Sequence, residues 1–142
     1  MTKAKKLKIC DWSLLVATVL MLASSIQLEA TGSRAVGWVW LHIAIGCLFF
    51  ANIVWHVYLH FGWKSWLHKF RKQKSFITRW LAVFALLTII SAIIAFAHWF
   101  GSWAHSSLGG VHGKIGFVFI AIALGHTIKR IKFFKNKRKS IQ

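Results

Sequence analysis

From Leu41 to Leu59 the chain reads LHIAIGCLFFANIVWHVYL, an apolar run in which His42 and His56 stand fourteen positions apart. The phrase is written again from Val111 to Thr127, VHGKIGFVFIAIALGHT, with His112 and His126 at the same separation. A shift of seventy positions superposes the histidines, and also Ile45 on Ile115, Gly46 on Gly116, Phe49 on Phe119 and Ala51 on Ala121. Apolar matches arise easily by chance in such segments; two histidines and a glycine repeating together do not. On an α-helix, fourteen residues make nearly four turns and a rise of about 21 Å. Each segment therefore carries two imidazoles on one face, near opposite ends of an apolar rod. A polar group left unpartnered in an apolar interior is costly, so four such imidazoles need something to bind.

Four apolar stretches, about 12–28, 37–60, 80–98 and 111–128, are long enough to cross a bilayer as helices. With 57% hydrophobic residues and no proline, the chain reads as one all-α membrane domain over 1–142. The first stretch also fits a cleaved leader, with its Lys-rich head and the small residues Ala23 to Ser25; it is read here as a span. The net charge of +17 raises the question of nucleic acid, but the basic residues sit in short runs between apolar segments, so no nucleic-acid partner is expected. The N-terminus, the central loop 62–79 and the C-terminal tail hold seventeen Lys and Arg, and the other two connections hold only Arg34 and Lys114. The positive-inside rule then places both termini in the cytoplasm and predicts an up-down-up-down four-helix bundle. In that topology the second and fourth spans are parallel: His42 and His112 share the outer level, His56 and His126 the inner one. Trp38, Trp40, Trp99 and Trp103 fall at the outer interface and Trp12, Trp63, Trp66 and Trp80 at the inner one, as in an aromatic belt.

Matched imidazoles on two helices supply two axial ligands twice over, which suits haem. Zinc wants three or four converging ligands, and each level is expected to offer two, without a carboxylate at either depth. No CxxCH is present, so haem would be held non-covalently, as b type. Cys10 lies beside the basic N-terminus and Cys47 inside a span, at depths too different for a disulfide. Gly46 and Gly116 come one turn after His42 and His112 on the same face, where the missing Cβ makes room for a porphyrin; the plainer reading is close helix packing. Phe49 and Phe119 lie midway between levels and are read as packing. Arg34 and Lys114 are the outer cations available to haem propionates, and Lys64, Lys129 and Arg130 the inner ones. His60, one turn past His56, competes as inner ligand, but the fourth span has Arg130 at the matching place. His68 reads as solvated. His98, His105 and Glu29 are outer-side groups able to exchange protons, and Thr88 and Ser91 can bond back to their own helix.

The doubled H-x13-H with its trailing glycines resembles the small bacterial four-helix diheme membrane cytochrome b family, and the resemblance covers all four spans. It implies His42 with His112 on one haem and His56 with His126 on the other, in a multi-pass protein of the bacterial cytoplasmic membrane. It also implies electron transfer with membrane quinone or quinol and a redox partner protein, with oligomerisation possible. The Pro-Glu-Trp-Tyr quinol motif of larger cytochromes b is absent, and the first span has no histidine, so no quinone site transfers residue by residue. Two other classes stay open: an enzyme reacting superoxide or a ferric chelate at the outer haem edge near Arg34 and Lys114, and a haem-free metal transporter or assembly protein. Scarce membrane carboxylates speak against transport.

Overall fold

A computed structural model gives the fold; it describes residues 2–32, 35–64, 66–72, 75–102 and 107–136, of which 66, 67, 102 and 130–136 are described by their backbone alone. Every regular element among them is helical: α1 Lys3–Ala30, α2 Val36–Phe61, α3 Trp66–Arg71, α4 Phe76–Ser102 and α5 Ser107–Asn136. Four of these helices are long and apolar enough to cross a membrane, which marks the chain as a multi-pass membrane protein.

The helices overrun the apolar stretches that announced them. α1 begins at Lys3 and α5 continues to Asn136, because Lys, Ala and Leu are strong helix formers and the basic flanks contain no proline to stop them. The central basic stretch holds a helix of its own, α3, where a loop was expected. α2 stops at Gly62, whose φ of +69° a β-carbon would disfavour.

The chain divides into two compact units, Met1–Gln73 and Lys74–Gln142. In the first, α1 packs on α2 and the short α3 on α2. Side-chain contacts fix the register: Cys10 and Ser13 reach Asn52, Asp11 reaches His56, and Ser24 reaches His42. As the position rises along α1 its partner falls along α2, so the two helices run in opposite directions. Ser13 Oγ donates to Asn52 Oδ1 at 2.8 Å, while the Asn52 amide donates to the Leu48 carbonyl at 3.0 Å, so that side chain ties the helices together halfway along. In the second unit α4 packs on α5.

Very little of either unit is buried. Among the described residues the buried apolar side chains are Cys10, Ala17, Phe49, Leu59, Phe119 and Ile120, while α4 keeps none of its most apolar window inside. Exposed Leu, Ile, Val and Phe on this scale would be an aggregation surface in water. In a bilayer they face a solvent as apolar as themselves. Of the tryptophans read as a belt, Trp12, Trp38, Trp40, Trp63 and Trp80 are exposed and Trp99 is half-buried; Trp103 lies outside the described residues and Trp66 is described by its backbone alone.

Candidate functional site

The repeat seen in the letters is also a repeat of environment. Positions 41–49 and 111–119 show the same succession of exposed, half-buried and buried residues, one for one. His42 and His112 are half-buried in it, as are Gly46 and Gly116, and Phe49 and Phe119 are both buried. A methyl group added at Gly46 or Gly116 would meet no atom within 4 Å. Within its own unit, neither glycine is packed against the partner helix.

A serine from the neighbouring helix lies behind each of His42 and His112. Ser24, buried on α1, places Oγ 2.9 Å from Nδ1 of His42. The same hydroxyl has the Met21 carbonyl within reach at 3.0 Å. When it gives its single proton to that carbonyl, only lone pairs face the ring, Nδ1 carries the imidazole proton and Nε2 is the basic nitrogen. The second unit repeats the device: Ser91 Oγ lies 3.1 Å from Nδ1 of His112 and donates to the Thr88 carbonyl at 3.1 Å. An outer-sphere acceptor that fixes the tautomer and turns Nε2 toward a metal is the usual support of a ligating histidine.

His56 is held differently. Its Nδ1 lies 3.1 Å from a carboxylate oxygen of Asp11, with both side chains about four-fifths covered. The contact is off the direction of a good hydrogen bond, and Nδ1 has no aligned partner. The contact is one of charge and proximity, without the alignment of a hydrogen bond. The His60 ring stands 4.5 Å from that of His56, inclined at 51°. One ligand atom from each of Asp11, His56 and His60 can be chosen so that all lie within 4.8 Å of one another.

That cluster corrects one expectation. A carboxylate is present beside an inner histidine, and three potential ligand groups meet there instead of two. Asp11 stands at the head of the first apolar stretch in sequence, but α1 continues N-terminal to it for two more turns. The antiparallel packing then carries it to the level of His56.

The remaining residues fall as follows. His126 is half-buried on α5, and Lys114, two residues after His112, is exposed. His98, Glu29 and His68 are exposed, on α4, α1 and α3. Arg34 and His105 lie outside the described residues, as does the Arg130 side chain. Thr88 and Ser91 do bond back to their helix, to the Phe84 and Thr88 carbonyls. Cys10 and Cys47 are free thiols.

Sequence reasoning placed Ser91 on its own helix backbone but missed the contacts of Ser24 and Ser91 with His42 and His112, and the placement of Asp11. A signal for the serines exists: a shift of 67 superposes Leu14 on Leu81, Val16 on Val83, Leu20 on Leu87 and Ser24 on Ser91. The first and third long helices thus carry their own, fainter repeat. Compared with models of protein families, with curated proteins and with solved structures, the chain matches none.

Proposed function

We propose that the chain is a transmembrane electron carrier holding two non-covalent haem b groups, His42 and His112 on one and His56 and His126 on the other. The observation that carries this reading is the repeated serine behind the outer histidines, Ser24 on His42 and Ser91 on His112. A serine at Nδ1 supports the tautomer in which Nε2 is the basic nitrogen, and that tautomer suits a metal ligand. The open space beside Gly46 and Gly116, one turn from those histidines, suits a flat macrocycle.

In this reading the four long helices form an up-down-up-down bundle with both termini cytoplasmic, in a bacterial cytoplasmic membrane. Each haem site then takes one histidine from each hairpin. Haem supplies one-electron transfer at iron, with its potential set by ligands and surroundings. The protein supplies ligand orientation through Ser24, Ser91 and Asp11, and a low-dielectric sheath of lipid-facing apolar side chains. Membrane quinone or quinol and a redox partner protein are the proposed electron exchange partners. His42, His112, His56 and His126 would hold the two haems, which would supply one-electron transfer to those partners.

A pyridine haemochrome assay on the purified protein tests this directly. Two haems per chain are expected, with one lost in His42→Ala or His112→Ala and the other in His56→Ala or His126→Ala. Protein without b-type absorbance, or with two haems in all four variants, overturns the reading.

The Asp11, His56 and His60 cluster favours a second reading, a transition-metal site in a haem-free protein. It predicts one zinc or copper per chain by elemental analysis, lost in His60→Ala, and no haemochrome.

A further inference from the structure

Four lysines converge on one groove at the end of the first hairpin where α1 begins and α2 stops. Lys3 and Lys6 come from the first turn of α1, and Lys64 and Lys69 from the turn and short helix after α2. Together with Tyr58 and Trp63 they line a space of about 720 Å³. The geometry is built by the chain reversal after α2. Gly62 turns the backbone with φ +69°. Lys69 Nζ then donates to the Phe61 carbonyl at 3.2 Å, tying α3 to the end of α2. The Tyr58 and Trp63 rings lie 5.8 Å apart, inclined at 40°, and form the apolar side of the groove.

Neither acidic side chain lines the groove. The sequence has only two acids, Asp11 and Glu29. Asp11 is engaged with His56 at 3.1 Å. Glu29 belongs to the last turn of α1, and its rise along the helix puts it about 39 Å from Lys3. The groove therefore presents four ammonium groups with no acid among its lining residues.

The walls select its chemistry. Several ammonium donors around one space match a phosphate, whose oxygens accept from several directions at once. The paired Tyr58 and Trp63 rings, both exposed, are of the type that sits at headgroup level with its apolar body toward lipid. A small inorganic ion would leave that aromatic side unused; a phosphate ester with an acyl chain uses both. We propose that this groove binds the phosphate headgroup of an anionic phospholipid, with the lysines on the phosphate and the glycerol and first acyl carbons against Tyr58 and Trp63. His60 also lines the groove, so the headgroup would sit next to the Asp11 and His56 pair. The inference requires the chain to lie in a membrane and does not rest on haem.

Native mass spectrometry of the full chain, purified in uncharged detergent and titrated with phosphatidylglycerol, phosphatidylcholine or glycerol phosphate, tests it. The groove variant K3Q/K6Q/K64Q/K69Q is compared with K132Q/K135Q/K137Q/K139Q, which removes the same charge from the tail. Phosphatidylglycerol affinity is expected to fall at least about tenfold in the groove variant and to stay within about twofold in the tail variant. K64Q/K69Q, which leaves α1 untouched, should fall about threefold and serves if the quadruple variant misfolds. Equal loss in groove and tail variants, or none in the groove variants, overturns the proposal. So does binding of glycerol phosphate as tight as that of the lipid, which would make the groove a free phosphate-ester site. Haem is counted on the same samples: if lipid binds only to cofactor-free protein, a haem propionate fills the groove and the lipid assignment falls. Lipid binding with no haem present leaves the groove standing and removes the electron-carrier reading.

Discussion

The hydroxyl of Ser24 stands 2.9 Å from Nδ1 of His42, with the Met21 carbonyl as a second partner at 3.0 Å. When the serine proton goes to that carbonyl, the serine is the acceptor and the histidine the donor at Nδ1. The arrangement recurs at Ser91 and His112 in the other half of the chain, so it belongs to the repeat.

Removing these hydroxyls should loosen the outer cofactor and leave the inner one alone. Outer-sphere partners of metal-bound histidine are worth roughly 10–100-fold in affinity. Ser24→Ala and Ser91→Ala are each expected to lower affinity for one of two haems about tenfold, read by haem titration of the stripped protein. Ser25→Ala is the control. Its hydroxyl also donates to the Met21 carbonyl, at 2.8 Å, and its loss should change haem binding less than about twofold, well below the tenfold or greater change a histidine partner gives.

Asp11 acts through its charge. If His56 is a ligand as proposed, a carboxylate 3.1 Å from its Nδ1 would make the imidazole a stronger donor and favour the oxidised metal. Across ~7–8 Å at an effective dielectric near 20, two unit charges interact by about 2 kcal/mol. This corresponds to roughly 90 mV for one electron. Asp11→Asn keeps an oxygen acceptor and removes the charge, so the midpoint potential of the inner haem should rise by on the order of 50–100 mV in a spectroelectrochemical titration. The outer potential should move far less. A fall in the inner potential contradicts the assigned role.

Gly46 and Gly116 separate cofactor space from helix packing. No atom of the chain would meet a new Cβ at either position, and replacing a mid-helix glycine by alanine favours the helix by roughly 0.5–1 kcal/mol. Gly46→Leu and Gly116→Leu are therefore expected to leave cofactor-free protein as helical and as resistant to denaturant as the parent, or more so. They should nonetheless lose the outer haem. If both variants unfold the apoprotein while retaining its affinity for haem, the glycines serve packing after all.

The helices and the doubled histidines were legible because apolar length and a seventy-residue shift are both one-dimensional signals. The helix ends were not. Lys-rich flanks look like loops by charge, yet they propagate a helix by propensity, so α1 starts at Lys3 and α5 runs on to Asn136. The serines hid for a different reason. Ser24 and His42 are 18 apart, Ser91 and His112 are 21 apart, and a single shift that aligns the histidines misaligns the serines by three. Asp11 beside His56 needed the register of α1 on α2, which periodicity alone does not contain. The two resulting oversights were of one kind: both concern what stands behind a histidine, on a neighbouring helix, at a separation set by a connection.

That register is itself open to test at Asn52. Its Oδ1 accepts from Ser13 at 2.8 Å and its amide donates to its own helix, so one side chain both joins α1 to α2 and satisfies itself. In lipid the apolar surfaces gain little by meeting each other, and a hydrogen bond between helices contributes roughly 0.6–2 kcal/mol. Asn52→Leu should destabilise the first hairpin by about that amount, measured as unfolding in mixed micelles with increasing SDS. Ser13→Ala should cost the same or less, and the double variant little more than Asn52→Leu, because the two side chains share one bond. The Asp11 and His56 contact depends on the same register, so Asn52→Leu should also raise the inner haem potential, in the direction of Asp11→Asn but by a smaller amount. Fully additive losses in the two single variants would mean that Ser13 and Asn52 do not pair.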